Sequence, residues 1–194
     1  MNLSKTHRWI AGISLMLLMA VTRSSHLGGA ADLPDASWAV FFLAAFYLQS
    51  LTPFAAFMLA AWLIDLSAVQ LGGVDAFCLT PAYFTLVPAY GALWLAGLWY
   101  ARMHRERPST VPRLLGTFGL GVVACELFSS GGFYLCSGYF QQPGWAQYLE
   151  RTATYFPTFL ATAVFYLALA VLVHLTVWAC ARRAGWSAAG AGKG

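Results

Sequence analysis

The chain has 194 residues, of which 60% are hydrophobic, 16% aromatic and only 9% charged, where a soluble domain carries roughly 25% charged residues. The deficit runs along the whole length, so the composition reads as one polytopic membrane domain, residues 1–194, with no room for a second, soluble one. The net charge of +4 is no nucleic-acid footprint. Nine of the eleven Lys and Arg stand in three places: the N-terminus (Lys5, Arg8), one segment (Arg102, Arg105, Arg107, Arg113) and the C-terminus (Arg182, Arg183, Lys193), the pattern of the positive-inside rule.

The first apolar run, Trp9 to Val21, follows basic residues and has no small-residue cleavage site after it, so it reads as a retained helix over residues 8–23. The polar Gly/Pro segment "RSSHLGGAADLPDA" must be a loop. Helices are predicted next over 36–50 and 53–71, with only "QSLTP" between them. Charge decides that these are two. The N-terminus and the Arg102–Arg113 segment are both basic, so both belong on the cytoplasmic side, and an even number of spans must separate them. Pro53 then starts the second helix, where a missing N–H costs least. A fourth helix is predicted over 81–101, kinked at Pro88, a fifth over 110–135 and a sixth over 151–180. A short Gly/Ala tail follows at 184–194. The reading is thus an all-α integral membrane protein of six transmembrane helices with both termini cytoplasmic. Small-xxx-small spacings at Ala56/Ala60, Ala92/Ala96 and Gly97/Ala101 would allow close helix packing.

This topology sorts the unusual polar residues by depth. His26 lies past the outer end of the first helix, Asp65 in the outer third of the third, and Asp75 and Cys78 in the second outer loop. Tyr83 is in the first outer turn of the fourth helix, and Glu150 and Arg151 mark the outer start of the sixth. A carboxylate inside an apolar run costs a few kcal/mol or more unless paired or facing water. An outward-open polar cavity, with Asp65 and Arg151 as candidate partners, accounts for all of them. The plainer reading of Tyr83, Glu150 and Arg151 is that they anchor helix ends. Cys78 has three readings: a small buried hydrophobe, a disulfide partner of Cys136 on an oxidising face, or a reactive thiolate, a soft ligand and nucleophile. Cys125 and Cys180 read as packing and His174 as a helix–helix contact. Glu126 would line the cavity floor or pair within the bundle. None of the four cysteines forms a CxxC pair, so zinc-type spacing is absent.

Four stretches, "TRSSHLGGAADLPDASWAVFFLAAFYL", "AAWLIDL", "FCLTPAYF" and "ERTATYFPTFL", resemble the BtuM family. These are solitary cobalamin-specific S-components of the energy-coupling-factor (ECF) type vitamin transporters. The resemblance covers roughly residues 8 to 180. It implies an S-component-like bundle in the bacterial inner membrane, with a ligand pocket facing the periplasm, that binds and takes up cobalamin (vitamin B12) or related corrinoids. It implies Cys78 as axial ligand of the corrinoid cobalt, and His26, Asp65, Tyr83 and Arg151 as pocket residues. Phe77 would join Tyr83 in stacking on the ring edge. A thiolate on cobalt would also labilise an upper ligand such as cyanide, and in that event Cys78 would be catalytic in decyanation. One departure stands out. The Ala-xxx-Ala pattern with which many S-components dock on a coupling subunit is missing from the first helix: Leu15 stands four after Ala11, and Met16 four before Ala20. An ECF coupling module is therefore not implied by helix 1.

Three other classes compete. A membrane Cys/His/Arg enzyme of the exosortase kind would use Cys78, His26 and Arg151, although that family has the order Cys, Arg, His. A quinone-linked thiol oxidoreductase would use Cys78 and Cys136, against the lack of any CxxC. A purely structural subunit would leave the outer polar cluster unexplained.

Overall fold

The structure, a computed structural model, describes residues 4–26, 33–71, 81–105 and 110–190; the side chains of 25, 26, 71 and 181–190 fall outside the description. Among the described residues every regular element is helical. The elements are α1 (Lys5–His26), α2 (Ser37–Leu48), α3 (Thr52–Leu71), a 3-10 turn (Pro81–Thr85) that runs into α4 (Leu86–Met103), α5 (Val111–Cys136) and α6 (Trp145–Gly190).

The core helix is α2. Its sequence, SWAVFFLAAFYL, has no charged residue, and nine of its twelve residues are buried, as expected of a helix that is apolar all round. At about 1.5 Å per residue it is only ~18 Å long. It stops because Gln49 adopts the left-handed conformation (φ 52°) and donates its N–H back to the Ala45 carbonyl. Two side chains brace this break: Arg8 donates to the Gln49 side-chain oxygen at 3.4 Å, and the Trp94 indole N–H donates to the Ser50 carbonyl at 3.0 Å. Three residues later Thr52 and Pro53 open α3.

Beside it, α4 is sandwiched between α2 and α5, its two most extensive neighbours. The sequence permits this where side chains are smallest. A Cβ added at Gly97 would overlap the backbone carbonyl oxygen of Phe42, and one at Gly121 would stand 2.9 Å from the Ala96 Cβ. Aromatic rings fill the remaining space: Phe41 stacks on Tyr90 with centroids 4.3 Å apart and meets Trp94 edge-on. Successive helices alternate in direction. Arg23, Ser37, Asp65 and Tyr83 meet at one end, while Gly12 lies against Leu48, and Tyr47 against His174, toward the other.

Four helical segments are long and apolar enough to cross a membrane: Thr52–Gln70, Pro81–Met103, Val111–Cys136 and Trp145–Cys180. Their outer faces carry large exposed apolar side chains, among them Leu59, Leu95, Leu120, Leu127, Phe165 and Leu172, a surface suited to lipid and not to water.

Several boundaries differ from the sequence reading. Helix α1 runs three residues further, to His26, and α6 begins at Trp145 instead of Arg151, because residues 145–150 continue the turn and Tyr148 donates its N–H to the Gly144 carbonyl. Pro88 occupies the first turn of α4, where its missing N–H has no helical partner to lose; the irregularity expected there is the 3-10 turn just before. Pro157 is the proline that stands inside a helix.

Candidate functional site

The polar residues that the sequence places at one depth converge on an arginine. Arg23, in the last turn of α1, is 7% exposed, and Asp65 of α3 is 4% exposed. They meet side-on: Nε of Arg23 donates to Oδ1 of Asp65, and Nη2 donates to Oδ2, both at 2.6 Å. This is the fork-to-fork geometry in which a guanidinium matches a carboxylate best. The remaining nitrogen, Nη1, faces α2 and α4. It donates to the Tyr90 hydroxyl at 2.9 Å and the Ser37 hydroxyl at 3.0 Å, and pairs with Asp35 Oδ2 at 3.4 Å.

The acceptors are themselves held. Asp35 receives both the Ser37 backbone N–H (3.0 Å) and the Ser37 hydroxyl (2.6 Å) on Oδ1, which fixes the entry into α2. The Tyr83 hydroxyl, on the 3-10 turn, donates to Asp65 Oδ2 at 2.9 Å. One arginine and two carboxylates therefore tie α1, α2, α3 and the start of α4 together. Breaking such a buried pair from one side costs about 3–5 kcal/mol, because it strands the other charge.

This corrects the pairing expected from sequence. Asp65 is bound by Arg23 and not by Arg151. Arg151 instead sits over the Phe140 ring at 4.9 Å and the Tyr155 ring at 5.5 Å, held by cation–π contacts in the layer formed by the 137–144 connection and the start of α6. Sequence placed both arginines at the same depth; it carried no information on which helix faces Asp65, and the chain turns α1 toward it.

Of the other expected site residues, Asp65 and Tyr83 are brought together directly. His26 ends α1 three residues after Arg23, and its side chain lies outside the description. Cys78 and Phe77, with Asp75, lie outside the described residues, as does any Cys78–Cys136 disulfide. Cys136 is exposed, and Cys125 is buried. His174 makes the interhelical contact expected of it, 3.2 Å from the Tyr47 hydroxyl. Glu126, in mid-α5, is buried at 4% exposure. Ser130, one turn on, interacts with it, but neither carboxylate oxygen makes a well-formed hydrogen bond. It leaves two acceptor oxygens inside the bundle without geometric partners, a costly state that an incoming donor would relieve. Among the described residues no group of three or more His, Cys, Asp or Glu could hold a metal ion.

Arg23, Asp35, Ser37 and Tyr90 were not singled out in advance. A signal existed for three of them. Arg23 and Arg151 are the only basic residues outside the three basic clusters, so the reasoning that selected Arg151 applied equally to Arg23. Asp35-Ala36-Ser37 is an Asx-turn pattern before an apolar run. Tyr90 is one of nine tyrosines and nothing in its local sequence sets it apart. No protein-family model matches the chain, and no curated protein matches it.

Proposed function

We propose that the protein binds cobalamin or a related corrinoid and carries it across a bacterial inner membrane, through a pocket at the Arg23–Asp65 end of the bundle. The observation that carries this reading is the buried Arg23–Asp65–Tyr83 network. It gathers two of the expected pocket residues at one end of an apolar bundle, and in sequence Cys78 stands between Asp65 and Tyr83 while His26 closely follows Arg23. In this reading all six helices are embedded, both termini are cytoplasmic, and the pocket faces the periplasm.

The roles divide by chemistry. Cobalt belongs to the cargo. The Cys78 thiolate, a soft donor, takes one axial position, with the cargo's own nucleotide base displaced. Asp65 is a positioning residue: with both oxygens committed to Arg23 and Tyr83, it sets the Tyr83 ring for contact with the corrin edge, alongside Phe77. His26 and Arg151 offer donors to the carbonyl oxygens of the corrin side-chain amides, and Glu126 offers acceptors to their N–H groups.

The test is optical. Cobalamin mixed with the purified protein should change its visible absorption when the thiolate takes the axial position, and Cys78→Ala should abolish the change. A wild-type spectrum identical to free cobalamin would sink cobalt ligation. Cobalamin bound with the same altered spectrum by Cys78→Ala would assign the ligand elsewhere.

A further inference from the structure

The end of the bundle away from Asp65 holds a cavity of about 390 Å³ between α2, α4, α5 and α6. That is at the small end of the roughly 300–1,000 Å³ of ligand pockets, the size of a slender chain and far too small for a corrinoid. Its walls are apolar: Phe42, Phe46, Leu114, Leu167, Ala170 and Val171 among them. Its rim is apolar too. Val111, Leu175 and Trp178 line it and are 53%, 52% and 37% exposed, on helices whose outer faces meet hydrocarbon. The cavity therefore opens sideways between α5 and α6, and its entrance suits a hydrocarbon chain.

One part of the lining is polar, and it includes a cation, Arg105. His104, at the end of α4, and His174 of α6 face each other with ring centroids 6.3 Å apart and planes nearly perpendicular. Tyr47 and Tyr100 hydroxyls lie 3.2 Å from His174 Nδ1 and 2.9 Å from His104 Nδ1. Arg105 lines the same cavity and is exposed. In sequence, the segment 102–113 has four arginines against one acid, Glu106. An apolar slot with a lateral mouth and a cationic, hydrogen-bonding head is complementary to an anionic amphiphile.

We propose that this cavity binds one anionic phospholipid from the surrounding leaflet, with an acyl chain between α5 and α6 and its phosphate at Arg105, His104 and His174. The charge sets the head-group choice, each basic residue near the bilayer surface adding about 1 kcal/mol toward an anionic lipid. The cavity's volume, about 390 Å³, limits occupancy to one chain, in contrast to the many lipids that would cover the outer faces of α3 to α6.

The experiment is native mass spectrometry of the detergent-purified, delipidated protein given equal amounts of phosphatidylglycerol and phosphatidylcholine. Wild type should retain one phosphatidylglycerol in clear preference to phosphatidylcholine. Arg105→Gln, at an exposed position, should reduce that preference about fivefold. Ala170→Phe, which fills the cavity, should abolish retention. As an independent readout, phosphatidylglycerol brominated on its acyl chain should quench part of the tryptophan fluorescence, and that part should vanish in Trp178→Phe. Equal retention of the two lipids by wild type would overturn the proposal, as would an unchanged preference in Arg105→Gln.

Discussion

The two ends of the bundle share α2 and α4 and solve opposite problems. At one end, Ser37 of α2 and Tyr90 of α4 complete a shell around Arg23 and Asp65 in which every guanidinium nitrogen has an acceptor. At the other, Tyr47 of α2 and His104, just past α4, meet His174 of α6 at the edge of a cavity. The closed end buries full charges, and it can do so only because the pairing is bidentate and multiply hydrogen-bonded. Among the described residues the open end has no buried ion pair to satisfy, and the packing of its rings and apolar side chains leaves a gap. The contrast gives the first end a role in stability; the proposed function adds cargo recognition there, and the lipid proposal belongs to the second end.

The largest expected effect breaks the closed end. Asp65→Ala leaves Arg23 buried without its carboxylate and should destabilise the protein by about 3–5 kcal/mol, measured by denaturant unfolding in detergent. Replacing both partners, Arg23→Met with Asp65→Leu, should recover most of that loss; a double variant as unstable as Asp65→Ala would show that the pair does more than satisfy itself. Next comes Gly97→Ala, which acts on both ends at once by forcing α4 from the Phe42 carbonyl, at about 1–3 kcal/mol in the same unfolding assay. Tyr83→Phe removes one hydrogen bond to a charged acceptor and should cost about 1.5–3 kcal/mol at most, while weakening cargo binding. The smallest effect belongs to the open end. Tyr47→Phe loses the contact to His174 and should cost about 1 kcal/mol or less. A larger loss there than for Tyr83→Phe would reverse the comparison.

How much of this was legible in the sequence follows from what sequence can encode. Apolar runs and Pro53 marked where helices start, and the low charge marked the medium. That Asp65 and Tyr83 meet in one polar cluster was legible because depth along a helix is a linear quantity, read by counting from the loops. The partner of Asp65 was not, because it depends on which face each helix turns inward. Arg23 and Arg151 are equivalent by depth, and only packing, with α1 against α3 and α6 beyond the 137–144 connection, separates them. The break at Gln49 was inferred from charge parity, yet what makes it is a left-handed residue with no glycine to announce it. The cavity at the open end had no sequence signal at all, since its lining residues come from four helices and its volume arises from how those helices are spaced. His174, read as an interhelical contact, is one, and it also borders that space.

The central claim is that the Arg23–Asp65–Tyr83 end, and not the opposite cavity, takes the cargo. Equilibrium dialysis of cobalamin against Tyr83→Phe and Ala170→Phe tests it most directly, with each variant first shown to be folded by its unfolding transition. The account predicts weaker binding in Tyr83→Phe and wild-type affinity in Ala170→Phe. Wild-type affinity in Tyr83→Phe together with lost binding in Ala170→Phe would contradict it.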